Sequence, residues 1–281
     1  MHAFQSCIAI DWSGAKGRRH KGIAVAEARG DEAPQLVRPD HVWSRSEVLE
    51  WLFERAAQER CIFGFDFSFA PPLVERGSYL PGDDVPQEGK PFWAYVDQVS
   101  EDDDLGAASF LEQVHRDHFY FGKADGEKAR YMWFREVEKK LNAQGGGKAA
   151  TVYDAIGAAQ VAKASFAGMR LLHRANDQVA VWPFDAVPHD GSLIVEIYGR
   201  LYLRRAGGSG RKLRDLTSLN DALARLDSPP VRLPGDPTDH ETDALVTAAG
   251  MRHVLRHETP FDPDGLTPRI ARTEGWTFGV V

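Results

Sequence analysis

Disulfides, long apolar runs and surplus basic charge are all missing from this chain. It has two cysteines, Cys7 and Cys61, each inside an apolar stretch. That excludes a disulfide scaffold and a Cys-based zinc site, and it leaves two small core residues suited to a reducing compartment. No apolar run approaches the roughly 20 residues that span a bilayer. The opening MHAFQSCIAIDW lacks a basic region followed by an apolar stretch and a cleavage site. The expectation is an unsecreted, cytoplasmic protein with no membrane partner. Acids outnumber Lys and Arg, 41 to 34, for a net charge of −7. That argues against coating nucleic acid by bulk electrostatics, while a local basic groove stays open. GxxxxGK[ST] and HExxH do not occur, which excludes a P-loop nucleotidase and a zinc peptidase of those types.

The 281 residues are 43% hydrophobic and 27% charged, enough for one large domain with a substantial core. CIAIDW (7–12) reads as a strand, followed by the basic turn SGAKGRRH and a second strand, KGIAVAEAR (21–29). QLVRPDHVW is a third strand candidate. Ser44 with Glu47 forms a capping box before the amphipathic EVLEWLFERAAQE, and CIFGFDF follows as a fourth strand. Residues 71–190 break the regularity. A Pro/Gly/Asp-rich stretch precedes helical patterns at 105–121, 127–143 and 154–175, so this segment is expected to be a helical insertion or cap. SLIVEIYGRLYLRR (192–205) reads as the next strand. A short helix near 218–226 and a last one in PTDHETDALVTAAGMRHVLR complete the pattern.

Three strand candidates each carry one acid in an apolar setting: Asp11, Asp66 and Glu196. An unpaired carboxylate there costs several kcal/mol unless something compensates it. Period-two alternation puts Cys7, Ala9 and Asp11 on one face of their strand, and Ile62, Gly64 and Asp66 on one face of theirs. If those strands are parallel neighbours, the acids meet at the carboxyl edge, where open α/β sheets hold ligands. A single acid at a strand end is also simply the first polar residue of a turn. Several together raise one another's pKa or recruit a cation, and an all-oxygen set suits Mg²⁺ or Mn²⁺. On the last helix, the Thr238 and Glu241 capping box explains Glu241, and Asp239 suits the first turn. Asp243 lies beyond that turn and has no such explanation. The spacing of His253 and His257 fits a helix end, and no histidine is assigned a role.

IAIDWSGAKG with GIAVAE, then FGFDFSFAPP, VWPFD with VEIYGRLY, and DHETDALVTAAG span nearly the whole chain. In this order they resemble the RNase H-like superfamily and, more narrowly, the bacterial domain-of-unknown-function family 429, whose members are described as predicted RNase H-fold nucleases. The resemblance implies an α/β fold in one domain over 1–281. Its mixed five-stranded sheet has order 3-2-1-4-5, with helices on its flanks and the 71–190 insertion between strands 4 and 5. It further implies that Asp11, Asp66 and Asp243 hold Mg²⁺ or Mn²⁺, with Glu196 and Asp239 as further candidates. Gly199 stands where the family usually has a proline.

The expected activity is metal-dependent hydrolysis of a phosphodiester in DNA or RNA. The alternatives are a phosphotransferase or nucleotide-binding enzyme of the same superfold and a non-catalytic binding protein. Phosphate contacts are expected from Lys16, Arg18 and Arg19 in the first loop, from Arg135 and Lys148 in the insertion, and from Arg211 and Lys212 in the glycine-rich loop. Each of these equally fits a solvated loop charge, and Arg135 an ordinary helix ion pair.

Overall fold

A computed structural model describes residues 4–144, 149–156, 161–208, 213 and 215–281. Strands β1 (Ser6–Asp11), β2 (Ala24–Arg29) and β3 (Gln35–Leu36) run antiparallel in sequence. Helix α1 (Arg45–Gln58) then crosses over to β4 (Cys61–Phe65), which lies parallel to β1. Helices α2 (Gly89–Val99), α3 (Glu136–Ala143) and α4 (Val161–Ala175) precede β5 (Ala180–Val181) and β6 (Leu193–Glu196). The chain ends in α5 (Gly199–Arg205), α6 (Leu216–Ala224), α7 (Asp239–His257) and α8 (Pro268–Thr273). The sheet order is β3-β2-β1-β4-β6-β5, so the expected five strands are six. The added strand, β5, pairs parallel to β6 at the edge and lies inside the 71–190 segment.

Alternation along the strands builds two cores. Ile8, Ile10, Phe63, Phe65 and Ile194 face α1, α2 and α4, with Phe92, Trp93 and Phe166 in the same cluster. Cys7, Ala9, Ile62 and Val195 face α7, through Leu245, Ala248 and Met251. The α7 side uses small residues because the helix comes close. A Cβ on Gly64 would lie 2.6 Å from Ile197 Cγ2 and 2.7 Å from Met251 Sδ, so a larger residue there would have to displace both side chains. Both cysteines are buried and unbonded, and burial pushes each thiol up to about 12, as expected of inert core residues.

Several sequence expectations need correction. The third strand shrinks to two residues because Arg38 and Asp40 take positive φ on either side of Pro39 and turn the chain away. The stretch 192–205 is a strand only to Glu196. GRLYLRR then folds as α5, an ambiguity inherent in short apolar runs. The helical patterns at 105–121 and 127–143 become a π-helical turn, two 3₁₀ turns and the short α3, with a further 3₁₀ turn, Lys123–Asp125, between them. Among the described residues, no helix is long and apolar enough to cross a membrane.

The start of α1 is held twice. Its Ser44 and Glu47 capping box is present, as the sequence predicts. Asp104, arriving from the long connection, also accepts from the Arg45 N–H and the Ser46 N–H, each at 3.0 Å. Burial works to raise the Asp104 pKa, and the Ser46 and Arg45 N–H groups overcome it and hold it below the usual value. A depressed folded pKa gives stability that is present above the unfolded pKa and lost as pH falls through the folded one. Asp104→Asn should therefore lower stability by about 1–2 kcal/mol in urea unfolding at pH 7. The difference from wild type should close below about pH 4.

Candidate metal and phosphate site

The parallel pairing of β1, β4 and β6 brings their carboxyl ends together. Ile10 is in register with Phe65, and Phe65 with Glu196. Asp11 closes β1, and Asp66 follows β4, its N–H donating to Ile10 O at 3.1 Å. Both belong to the α7 face of the sheet. Helix α7 starts at a capping box, Thr238 accepting from the Glu241 N–H and Glu241 from the Thr238 N–H. It then runs across this face and brings Asp243 to the same point. Asp11, Asp66 and Asp243 line a recess of about 10 Å³ with Ala9, Ile197, Ala244 and Thr247. That is about the space one water or one ion takes. The recess adjoins an open cavity of about 430 Å³ that the same three aspartates line.

The electrostatics of the trio are unfavourable without a cation. Burial, then the Asp11 carboxylate, then that of Asp243 raise the Asp66 pKa well above the usual value. The nearby Gly199 N–H opposes them. His240, one turn before Asp243, places Nδ1 2.5 Å from Asp11 Oδ2 and fixes the rotation of that carboxylate. Arg200 lines the cavity as well.

Glu196 is held differently. In the β4 and β6 register it lies opposite Phe65 rather than Gly64, so its side chain leaves the sheet on the other face from Asp66. There it forms a bidentate pair with Arg135, 2.7 Å from Nη1 and 2.6 Å from Nη2. It also accepts from the Phe69 N–H at 2.8 Å and from Thr277 Oγ1 at 2.6 Å. Four donors saturate its two oxygens. Glu196 shares the cavity wall with the trio but is not brought into the trio's recess. Asp239, in the first turn of α7, lines neither space.

The expected phosphate contacts are largely engaged elsewhere. Lys16 pairs with Glu112 at 2.8 Å and Arg19 with Glu47. Arg18 is exposed and, with Lys16, lines a second cavity of about 310 Å³ beside Asp102 and Asp103. Arg135 is buried between Glu196 and Glu138. Lys148, Arg211 and Lys212 lie outside the described residues. The loop after β1 is packed at its start, while Ala15 to Arg19 are exposed. The buried Arg45 donates to Ser13 O and Ala15 O, and a Cβ on Gly14 would lie 2.1 Å from Ala164 N.

Sequence reasoning passed over His240 and Arg200. His240 sits inside the DHETD motif at i, i+3 from Asp243, the spacing that puts two side chains on one helix face. Arg200 directly follows the VEIYG block, at the same sheet edge as the acids. No family model matches the chain, and neither a curated protein nor a solved structure does.

Proposed function

We propose that the chain is a divalent-cation-dependent phosphodiesterase of RNase H-like type that acts on a nucleic acid. The observation that carries this reading is the convergence of Asp11, Asp66 and Asp243 on one recess, where Asp66 is repelled by the other two. Three carboxylates held together this way are stabilised by Mg²⁺ or Mn²⁺, whose hard oxygen preference they match. The sequence resemblance to the superfamily and to family 429 supports the same assignment.

In this reading Asp11, Asp66 and Asp243 would hold the divalent cation, which would supply activation of water and stabilisation of the leaving oxygen of the phosphodiester. Asp11 contributes from the central strand, its orientation set by His240. Asp66 and Asp243 close the site from β4 and α7. Arg200 at the cavity wall meets a phosphate oxygen. The nucleotide-binding alternative draws less support, because Lys16 and Arg19 are paired with acids and the start of their loop, at Trp12 and Gly14, is packed against α4.

Purified protein is expected to cleave single- or double-stranded DNA or RNA in Mn²⁺. Asp11→Asn should reduce that rate by about 10³-fold or more, the scale on which electrostatic stabilisation of the transition state is lost. Absence of cleavage on every nucleic acid form, or full activity in Asp11→Asn, would reject the reading in favour of a binding protein.

A further inference from the structure

The histidines offer a second site, far in sequence from the aspartates that end the strands. Asp83 lies in the loop before α2. His115 follows the π-helical turn Phe110–Val114, and His118 ends the next 3₁₀ turn. His115 Nδ1 is 2.6 Å and His118 Nε2 3.0 Å from the same oxygen of Asp83, Oδ2. One ligand atom from each of the three residues lies within 4.8 Å of the others. We propose that Asp83, His115 and His118 bind a transition-metal ion of the Zn²⁺ class.

The donor set is the argument. Two imidazoles and one carboxylate suit Zn²⁺, Co²⁺ or Ni²⁺, whereas Mg²⁺ and Ca²⁺ prefer oxygen alone. A tetrahedral ion with bonds of about 2.0–2.2 Å keeps its ligand atoms roughly 3.3 Å apart. The observed 2.6 and 3.0 Å therefore need to open by about 0.7 and 0.3 Å, within the reach of side-chain rotation. The surroundings match as well. His115 is 5% exposed, and its other nitrogen, Nε2, is 2.9 Å from the Tyr95 hydroxyl. Ligating histidines carry this kind of outer hydrogen bond, which fixes ring and tautomer. The side chain of Asp83 is 38% exposed, which gives an ion a way in and a position open to water.

Such an ion would join three pieces of the long connection between β4 and β5: the Asp83 loop, the turns at 110–118 and, through Tyr95, helix α2. The π and 3₁₀ turns carry both rings to Asp83. A second group, Asp227 with His253 and His257, meets the same spacing. It lies at the exposed end of α7, where Asp227 is 60% and His257 52% exposed.

The proposal does not depend on the nuclease reading, and cobalt absorption separates the sites. The full chain, stripped with a chelator and titrated with Co²⁺, should develop visible d–d bands that saturate at one equivalent and are displaced by Zn²⁺ but not by Mg²⁺. Asp83→Asn and His118→Asn should each weaken this binding by 100-fold or more, and Tyr95→Phe by about 10–100-fold. Asp227→Asn and Asp11→Asn should leave the bands unchanged. Bands that survive in both Asp83→Asn and His118→Asn, or that disappear with Asp227→Asn, would overturn the assignment, as would their absence from the wild type.

Discussion

Asp66→Asn is expected to make the metal-free protein more stable and, at the same time, insensitive to Mn²⁺. The wild-type carboxylate is largely withdrawn from solvent, faces the Asp11 and Asp243 carboxylates, and has a pKa well above the usual carboxylate value. An amide of the same shape removes the charge. Relief of a functional-site conflict of this kind is commonly worth about 0.5–2 kcal/mol. Thermal unfolding in chelator should therefore show a higher Tm for the variant. With saturating Mn²⁺ the order should reverse, because an ion that binds the folded state stabilises it in proportion to ln(1 + [L]/Kd), and the variant has lost a ligand. A variant that is less stable in chelator and still shifted by Mn²⁺ would mean that Asp66 is a structural acid.

The second large effect belongs to Arg135. Replacing it with Met should destabilise the fold by about 3–5 kcal/mol in urea unfolding, the usual result of removing one partner from a buried ion pair. Glu196 and Glu138 would then both be left buried and uncompensated, and burial already raises the Glu138 pKa in spite of Arg135. Glu196→Gln in the Arg135→Met background should recover a large part of the loss. Glu196→Gln alone should leave Mn²⁺ binding intact, which separates a structural glutamate from a ligand. If Glu196→Gln abolished Mn²⁺ binding while Arg135→Met left stability unchanged, the two roles assigned here would be exchanged.

These two residues also show what the sequence could and could not reveal. Asp66 was legible because alternation in CIFGFDF gives its face, and alternation in CIAIDW puts Asp11 on a matching one. The parallel pairing of β1 and β4 then brings the two together. Both capping boxes were legible too, since S-x-x-E and T-x-x-E describe contacts within four residues. Glu196 carried the same local signal as Asp66, but its face depends on the β4 and β6 register. A shift of one residue moves a side chain to the other side of the sheet, and no local pattern sets it. Its partner Arg135 lies 61 residues away. The edge strand β5, two residues long, is too short for periodicity to mark. The Asp83, His115 and His118 group was hidden for a related reason: it depends on turns that the helical pattern across 105–121 does not foresee.

The central claim is that Asp11, Asp66 and Asp243 hold a divalent cation. Anomalous diffraction from a crystal of the full chain soaked in Mn²⁺ tests it without a choice of substrate. The account predicts a strong peak within coordination distance of Asp11, Asp66 and Asp243. Full Mn²⁺ occupancy elsewhere on the protein, with no peak among these three carboxylates, would contradict it.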